Sequence, residues 1–389
     1  MAVINRIAGL ADEMAAWRRH LHAHPELSFD CHETAAFVAA RLREFGVDEV
    51  HEGIAQSGVV AVIRGRGEGP AIGLRADMDA LPMDDLSGTD HVSTVPGRAH
   101  ACGHDGHTAM LLGAAKYLAE TRNFAGTAVL LFQPAEEDGG GGNVMVQEGV
   151  MERFGIEQVY GLHNGPGLPE GSFNGRPGPL MAAVDEFALT VRGKGGHAAQ
   201  PHRTLDPIPA GAALVTALQT LVSRERDPLE PLVVSVTQFH AGSATNVIAP
   251  EAVIKGTVRS YDAALRDRTE RRIREIAAGV AAVHGLEIDV DYSRDYPATV
   301  NDPDRFAFAA EVAREIAGAD AVDEATPPRM GAEDFSYMLE ARPGAYLFLG
   351  QGDTPFCHHP AYDFNDAIAP VGASWFARLV ERAQPAASA

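Results

Sequence analysis

The alternation of apolar runs with segments of helical periodicity is the feature that most constrains how this chain folds. Short apolar runs at 71–74, 127–132 and 159–162 are each followed by polar or glycine-rich residues, a pattern typical of buried strands. Between the first two runs, residues 107–120 carry apolar side chains at helical spacing. Strands that alternate with helices predict an α/β sheet with helices on its faces.

From residue 183 onward the pattern changes to that of a second, smaller domain. Its predicted elements are, in order, a strand at 187–191, a helix at 214–222, strands at 231–239 and 252–258, a helix at 265–283 and a strand at 286–292. The order β-α-β-β-α-β predicts a ferredoxin-like sandwich. Because another apolar run at 345–349 fits the first sheet, we expect residues 183–296 to be inserted into a domain formed by 1–182 and 297–389.

The charge balance and the cysteine content limit the partners and the compartment. The 389 residues include 53 acidic and 32 Lys or Arg side chains, and the formal net charge of -21 repels phosphate backbones and anionic lipid headgroups. We therefore expect neither nucleic acid nor a membrane as a partner. Three scattered cysteines are too few for a disulfide framework, and no secretory or transmembrane pattern occurs, which favours a cytoplasmic protein.

One short segment, Cys102-Gly103-His104-Asp105-Gly106-His107, concentrates a thiol and two imidazoles. Thiolate and imidazole are the ligands that Zn²⁺ and related divalent cations prefer. The segment also fits a helix N-terminus whose histidines face solvent, with Asp105 as a capping residue. Its position relative to other candidate ligands decides between these interpretations.

Further candidate ligands follow the predicted strands. They are Glu136 and Glu137 after the run at 127–132, His163 after the run at 159–162, and the pair His358-His359 after the run at 345–349. Because the carboxyl ends of strands in an open α/β sheet meet at one rim, we expect these side chains to converge with Cys102 and His104. Asp77 and Asp79, which leave the first strand, either bind metal or orient an imidazole that does.

Other motifs are excluded by their context. The glycines at 65–69 precede a strand rather than a helix, so they predict a turn instead of a nucleotide-binding loop. The run from Gly139 to Gly142 has no neighbouring lysine and serine, and it predicts a flexible loop. No Gly-x-Ser-x-Gly elbow and no His-Glu-x-x-His helix occurs.

Taken together, these motifs resemble those of the amidohydrolase branch of the aminoacylase and carboxypeptidase family of dinuclear metallopeptidases, which includes hippurate hydrolases and auxin-conjugate hydrolases. The resemblance covers nearly the whole chain and is carried by residues 22–29, 77–82, 102–107, 133–137, 195–198, 330–335 and 358–365. It implies a catalytic domain with a central mixed sheet flanked by helices, and an inserted ferredoxin-like domain that serves as a dimerisation lid.

The resemblance also implies a site for two divalent metal ions. The ligands that it implies are Cys102, His104, Glu137, His163 and His358. Glu136 becomes the general base, and Asp79 orients a ligand without binding metal. The wider family usually has His-x-Asp where this chain has Asp77-Met78-Asp79, so we do not expect Asp77 to replace that histidine. Zinc, manganese, cobalt and nickel all suit such a ligand set.

In the inserted domain the resemblance points to His197, within Lys194-Gly195-Gly196-His197, as a second catalytic residue. It would reach the active site of a neighbouring subunit in a homodimer, which could assemble further into a tetramer. Asn246 and Arg259 are candidate ligands of the substrate carboxylate, although both also fit structural roles. Gly331 lies in a segment that we expect to face the substrate.

The implied reaction is hydrolysis of the amide bond of a small N-acylated amino acid by a metal-activated water, with a free amino acid as one product. A dipeptidase or carboxypeptidase of the same family is the main alternative. A second enzyme class would use Cys102 as a nucleophile, with His104 or His107 as its base. The third interpretation is a non-catalytic metal-binding protein, against which the retention of both Glu136 and Glu137 argues.

Overall fold

The structure, a computed structural model, describes residues 2–386 and divides into two compact units. The larger unit comprises the residues up to Leu180, Val300–Pro328 and the residues from Asp334 onward. The inserted unit comprises Met181–Thr299 and Arg329–Glu333. The sequence predicts fraying at 384–389, of which residues 387–389 lie outside the described range.

The secondary-structure elements are numbered in chain order. The strands are β1 Glu49–Ile54, β2 Gly58–Arg64, β3 Ala71–Asp77, β4 Thr127–Gln133, β5 Ile156–Pro166, β6 Phe173–Asn174, β7 Gly178–Met181, β8 Ala183–Arg192, β9 Gly196–His197, β10 Leu232–Ala241, β11 Val247–Ile248, β12 Glu251–Ser260, β13 Glu287–Arg294, β14 Thr299–Asn301, β15 Val322–Asp323 and β16 Gly344–Gly352. The helices are α1 Asn5–Ala8, α2 Ala11–Ala23, α3 His32–Glu44, α4 His104–Thr121, α5 Gly141–Gln147, α6 Val150–Arg153, α7 Pro207–Thr220, α8 Ala263–His284, α9 Pro303–Ala317, α10 Phe335–Ala341 and α11 Ala369–Ala383.

The larger unit is built on a mixed eight-stranded sheet with the strand order β1-β2-β4-β3-β5-β16-β6-β15. Its four central strands, β4, β3, β5 and β16, run parallel to one another, and β1 and β2 extend the sheet antiparallel at one side. Every residue of β3 is buried. A strand that is buried on both faces has a continuous run of apolar residues. For this reason β3, β4, β5 and β16 can be predicted from the sequence.

Helix α4 is the crossover that the sequence predicts between β3 and β4, and it packs with α2 and α11 on the sheet. Met110, Leu111, Leu112 and Leu118 of this helix are inaccessible to solvent. The helix begins at His104, three residues before the predicted start, so the segment with the thiol and the imidazoles stands at its N-terminus.

The inserted unit contains the predicted ferredoxin-like element order. Its four-stranded antiparallel sheet has the order β10-β12-β8-β13, and α7 and α8 follow β8 and β12 in the chain. Side chains of β8 alternate between buried and more exposed positions. That alternation indicates a sheet with one covered face, because Phe187, Leu189 and Val191 belong to the core that includes α7 and α8 residues.

Two details differ from the expectations. Residues Arg329–Glu333, placed by the sequence in the first domain, belong to the inserted unit, because the Ala182 amide donates to the carbonyls of Arg329 and Gly331. The glycine run does not remain a loop: Gly141 begins α5. A β-carbon on Gly141 would stand 1.8 Å from the Pro134 carbonyl oxygen, so glycine permits this close approach. Within residues 2–386, no helix is long and apolar enough to cross a membrane.

Candidate active site

The carboxyl ends of the parallel strands bring the predicted site residues of the larger unit to one rim. Strand β3 ends at Asp77 and β4 ends at Gln133, so Asp79 and the pair Glu136-Glu137 follow directly. His163 lies near the end of β5. These positions follow from strand direction, because parallel neighbours end on the same edge of a sheet.

The loop that leads into α4 adds Cys102 and His104 to this rim. Gly103 between them has a φ of 104°, in the left-handed region. A β-carbon at this position would stand 2.4 Å from Asn164 Oδ1 and 2.5 Å from Tyr362 Oη. Glycine is therefore required both by the backbone conformation and by the packing around it.

The side chains that the resemblance implies as ligands form, together with Glu136, three groups of candidate ligand atoms, and the atoms of each group lie within 4.8 Å of one another. The groups are Cys102 with His104 and His163, Cys102 with Glu137 and His358, and His104 with Glu136 and Glu137. All five side chains that the resemblance implies as ligands are therefore close together, with Glu136 beside them. Cys102, His104 and Glu137 each belong to two of these groups, so the three groups are continuous.

The buried His104 and the half-buried His163 present the same ring nitrogen to the centre. His104 Nδ1 lies 2.9 Å from the Asp79 carbonyl oxygen, and His163 Nδ1 lies 2.7 Å from the Asn164 carbonyl oxygen. A carbonyl only accepts, so both Nδ1 atoms donate, and in the neutral form of each ring Nε2 carries the lone pair that can bind a metal. Burial also holds the pKa of His163 well below its usual value, which keeps this ring in the neutral, ligating form.

Asp79 fixes the backbone that carries the two glutamates. Its Oδ1 accepts from the Glu136 amide at 3.0 Å and its Oδ2 from the Glu137 amide at 3.1 Å. The preceding residue, Ala135, has a φ of 58°, which is unusual for a residue with a β-carbon. The burial of Asp79 raises the pKa of its carboxyl group. Both carboxylate oxygens of Asp79 thus hold the backbone of Glu136 and Glu137 in place.

Two buried polar atoms at the centre show whether the site suits a cation, because a buried polar atom needs a partner. Among the described residues, His104 Nε2 and Glu137 Oε1 have no hydrogen-bond partner, although they face each other at 3.8 Å. Burial opposes a charge on His104, yet Asp77, Asp79 and Glu137 raise its pKa well above the ordinary value. This excess of negative charge and the two unpartnered atoms are what a divalent cation would satisfy. The residues fit a metal centre.

His358 differs from the other candidate ligands in its exposure. Its side chain is 57% exposed, and its Nε2 lies 3.4 Å from Glu137 Oε2. The residue has a φ of 66°, and its amide donates to the Ala101 carbonyl oxygen at 2.7 Å. Burial opposes ionisation of Glu137, but this contact and the charge of His104 lower the pKa of its carboxyl group. The neighbouring His359 is exposed and has its Nδ1 bound by the Ala361 amide.

Asp77 and His107 lie beside the centre with their polar atoms already engaged. Asp77 Oδ2 accepts from Arg75 Nη1 at 2.6 Å, and Asp77 Oδ1 lies 2.5 Å from His107 Nδ1. The other ring nitrogen of His107 lies 2.7 Å from Asn164 Oδ1. The burial of Asp77 is outweighed by Arg75, which holds the pKa of this carboxyl well below its usual value. This arrangement supports the ring of His107 rather than a cation.

The residues predicted in the inserted unit form no comparable cluster. His197 and Asn246 are both exposed: His197 lies in β9, which pairs with β11, and Asn246 directly precedes β11. The Ala198 amide donates to the Asn246 carbonyl oxygen at 3.0 Å, and the Ala199 amide donates to His197 Nδ1 at 3.1 Å. Because Nδ1 accepts, the ring proton of His197 is on Nε2, which is available as a donor.

Arg259 and Gly331 occupy separate places in the inserted unit. Arg259 lines a cavity of about 510 Å³ on the sheet together with Lys255, and its Nη1 donates to Thr257 Oγ1 at 2.5 Å. Burial lowers the pKa of Arg259. Gly331 is exposed, and a β-carbon added there would meet only Met181 Cε, at 3.5 Å.

A buried ionic network at the rim was not anticipated from the sequence. Arg75 donates to Gln133 Oε1 at 2.9 Å and to Asp334 Oδ1 at 2.8 Å, and Asp334 Oδ2 accepts from the Gly142 amide at 2.8 Å. Asn164 donates to Tyr362 Oη at 2.7 Å. Asp334 falls within the 330–335 segment that carries the resemblance, so a buried acid there was the available signal.

The comparisons with known proteins agree with this geometry. A model of peptidase family M20/M25/M40 matches residues 73–382, and the chain belongs to this family. It is 41% identical over 379 residues to the hippurate hydrolase of Campylobacter jejuni, covering 97% of this chain and 98% of that protein. It is 40% identical over 370 residues to thermostable carboxypeptidase 2 of Saccharolobus solfataricus, covering 92% of each. A solved dinuclear metal-binding peptidase of the M20 family from Bacillus subtilis matches with a TM-score of 0.85 and 33% identity, covering 97% of this chain and 99% of that chain.

These relationships confirm the resemblance and the fold class that the sequence predicts. The chain is an amidohydrolase with a metal-binding site. Which amide it cleaves, and the role of each side chain at the rim, are matters for proposal.

Proposed function

We propose that this amidohydrolase cleaves N-acylated amino acids to a carboxylic acid and a free amino acid, with Glu136 as the general base. The observation that carries the proposal is the difference between two adjacent glutamates. Glu137 shares a ligand group with Cys102 and His358 and lies 3.4 Å from His358 Nε2, whereas Glu136 shares no group with either of those residues. Glu137 is therefore assigned to metal, and the Glu136 carboxylate is left for proton transfer.

The cations are assigned to Cys102, His104, Glu137, His163 and His358. This mixture of thiolate, imidazole and carboxylate suits two divalent ions, with zinc, manganese, cobalt and nickel as candidates. When bound, such ions polarise an amide carbonyl and lower the pKa of water. The unpartnered His104 Nε2 and Glu137 Oε1 support the assignment.

Glu136 carries out both proton transfers in this proposal. Its carboxylate accepts a proton from the attacking water and returns it to the nitrogen of the departing amine, as a positioned general base and acid does. Asp79 Oδ1 accepts from the Glu136 amide at 3.0 Å. This bond fixes the backbone from which the Glu136 side chain extends. The ring nitrogens of His107 are engaged by Asp77 and Asn164, which leaves Glu136 as the better base.

The inserted unit contributes His197, and we propose that it acts across a homodimer. Its exposed ring carries the proton on Nε2, so it can donate to the oxygen on which negative charge develops during amide hydrolysis. Two such dimers could form a tetramer. We assign Asn246 and Arg259 to the substrate carboxylate and Gly331 to the surface that faces the substrate.

A carboxypeptidase is the second candidate function, because the relative from Saccharolobus solfataricus carries that name at nearly the same identity as the hippurate hydrolase. Both substrate classes end in a free carboxylate. They differ in the group on the other side of the amide, which is an uncharged acyl group in one and an aminoacyl group with an ammonium in the other.

A turnover panel tests the proposal. Protein stripped of metal and then reconstituted separately with zinc, manganese, cobalt or nickel is assayed on hippurate, N-acetyl amino acids and indole-acetyl conjugates. A matched pair, 3-phenylpropionyl-glycine and phenylalanyl-glycine, differs only in the α-ammonium. We expect a higher kcat/KM for the acyl compound, and a preference for the dipeptide would assign the chain to the carboxypeptidases.

The same protein separates metal hydrolysis from cysteine catalysis. A Cys102 nucleophile would remain active after chelation, whereas the proposed centre loses activity and regains it with metal. His107 is a poor base for such a nucleophile, since both its ring nitrogens are engaged. Activity that persists in fully stripped protein would contradict the metal assignment.

The setting is also part of the proposal. We place the enzyme in the cytoplasm, in line with three free cysteines and the reducing conditions that keep thiols free. We propose that its partners are small substrates and a second copy of the chain, and that nucleic acid and membranes are not among them, given the net charge of -21.

A further inference from the structure

Two of the three cysteines meet at the metal centre. Cys357, which no step of the mechanism uses, donates from its Sγ to the Cys102 carbonyl oxygen at 3.5 Å. Asn164 Nδ2 donates to Cys357 Sγ at 3.8 Å, and the Cys102 Sγ lies 3.5 Å from His163 Nε2. The second sulfur is therefore held against a proposed ligand.

Of this pair, Cys357 is the more accessible to solvent. Cys102 is 8% exposed, whereas Cys357 is partly exposed and lies between the exposed residues Phe356 and His358. The third cysteine, Cys31, is inaccessible to solvent and donates to the Ser28 carbonyl oxygen at 3.2 Å. Cys31 thus serves as an internal control for any reaction with a dissolved reagent.

We propose that Cys102 and Cys357 are an oxidation site, and that metal-free protein forms a disulfide between them which prevents metal from binding. The oxidant is a low-molecular-weight disulfide, for which oxidised glutathione is the probe. The reaction rests on the proposed function in one respect, which is that Cys102 binds metal. The formation of the bond itself does not depend on that assignment.

The chemistry is two thiol–disulfide exchanges. Cys357, the more accessible sulfur, attacks one sulfur of the oxidised glutathione, the glutathione S–S bond breaks, and one reduced glutathione leaves with a proton. The Cys102 sulfur then attacks Cys357 in the mixed disulfide and releases the second glutathione. The two protein thiols are each oxidised by one electron, and the two electrons reduce one glutathione disulfide to two thiols.

The consequence for the centre follows from the ligand set. A sulfur in a disulfide has no thiolate to offer, and Cys102 belongs to two of the three ligand groups. Metal and disulfide therefore compete for the same sulfur. Bound metal should protect the pair, and reduction should restore the site.

The test compares full-length protein with and without metal. Each form is incubated with oxidised glutathione, then denatured, and its free thiols and intact mass are measured. We expect the metal-free form to pass from three free thiols to one, with the loss of two hydrogens and a peptide joining Cys102 to Cys357. We expect the metal-loaded form to react more slowly.

Three variants control the measurement. Cys31→Ala should pass from two free thiols to none, while Cys357→Ser and Cys357→Ala should form no internal bridge, with circular dichroism checking that each is folded. Elemental analysis after the exposure to metal should show less bound metal in oxidised wild type, restored by dithiothreitol, and undiminished metal in Cys357→Ser.

The outcomes separate the two proposals. If metal-free wild-type protein keeps three free thiols, or forms only mixed disulfides with glutathione, the proposed oxidation site is wrong. A bridged protein that still binds its full metal complement overturns the blocking effect and also removes Cys102 from the ligand set, while the disulfide itself stands.

Discussion

The rim of the larger sheet and the β9–β11 segment of the inserted unit both carry proposed catalytic residues, but they hold them in opposite ways. At the rim, His104 is fully buried and its Nδ1 is bound by a backbone carbonyl. In the inserted unit, His197 is exposed and its ring accepts one hydrogen bond from an amide two residues away. The His104 ring is thus fixed before any ligand binds. The His197 ring is held only by a neighbour in its own short segment.

The difference teaches what each region contributes. A preorganised and buried cluster can bind metal tightly because little conformational freedom is lost. An exposed residue on a short strand pair becomes useful when another surface covers it, as in the proposed dimer. Substitutions at the rim should therefore abolish chemistry, and substitutions in the inserted unit should have smaller effects that depend on assembly.

The largest effect is expected from the paired glutamates. Glu136→Gln removes the proposed base and should lower kcat by about 10²–10⁴-fold with both metals retained. Glu137→Gln removes a ligand and should reduce the metal content. Elemental analysis and steady-state kinetics on both variants check this, each serving as the control for the other. Wild-type turnover in Glu136→Gln would falsify the assignment of the base.

His197→Ala should have the next largest effect, because loss of one donor to a developing oxyanion costs about 10²–10³-fold in kcat. Metal content should not change. If each site takes Glu136 from one chain and His197 from the other, the two inactive variants should complement each other. Mixing Glu136→Ala and His197→Ala gives about half heterodimers with one intact site each, and so about a quarter of wild-type activity.

The control for complementation is subunit exchange itself, followed with differently tagged chains. A mixture that has exchanged but is no more active than the mean of its parents would place His197 in its own chain's site. That result would remove the proposed sharing between subunits while leaving the metal centre unaffected.

Asp79→Asn tests how far preorganisation at the rim matters. An asparagine has one acceptor oxygen in place of two, so either the Glu136 or the Glu137 amide loses its partner. Changes to residues that orient metal ligands typically cost about 10–100-fold in metal affinity or activity.

The matched control for Asp79 is Asp48→Asn. Asp48 Oδ2 also accepts from a backbone amide, that of Arg64, which pairs with Thr127 at the opposite end of β4. We expect Asp48→Asn to leave metal affinity and kcat unchanged. Equal kinetic effects of the two changes would mean that Asp79 contributes only to stability.

The sequence locates the central strands and the residues after them, because strands buried on both faces have continuous apolar runs and because parallel strands end at one rim. Glu136, Glu137 and His163 are therefore predictable as neighbours. The inserted unit follows from its β-α-β-β-α-β element order, and the side chains of β8 there alternate between buried and more exposed positions, the period of a strand with one covered face.

What the sequence does not reveal is the packing between distant segments. The pair of Arg75 with Asp334 joins residues 259 positions apart, and neither local pattern nor spacing indicates that both are buried. Gly141 is similar. It looks like part of a flexible glycine run, but the nearby Pro134 carbonyl leaves no room for a β-carbon in the helix that begins there.

The smallest effect is expected from Gly331→Ala. A β-carbon at this exposed position would meet only Met181 Cε, at 3.5 Å, which is an ordinary van der Waals contact. The change should therefore alter the free energy of unfolding by no more than about 0.5 kcal/mol, as surface substitutions usually do. If the segment faces the substrate as we propose, KM should rise for a bulky acyl group such as benzoyl and stay constant for acetyl, with kcat unchanged for both. Denaturant unfolding and kinetics on hippurate and N-acetylglycine measure the two parts separately. An equal KM for both substrates in variant and wild type, in a protein of unchanged stability, would show that Gly331 does not face the substrate and that its lack of a side chain serves no recognition.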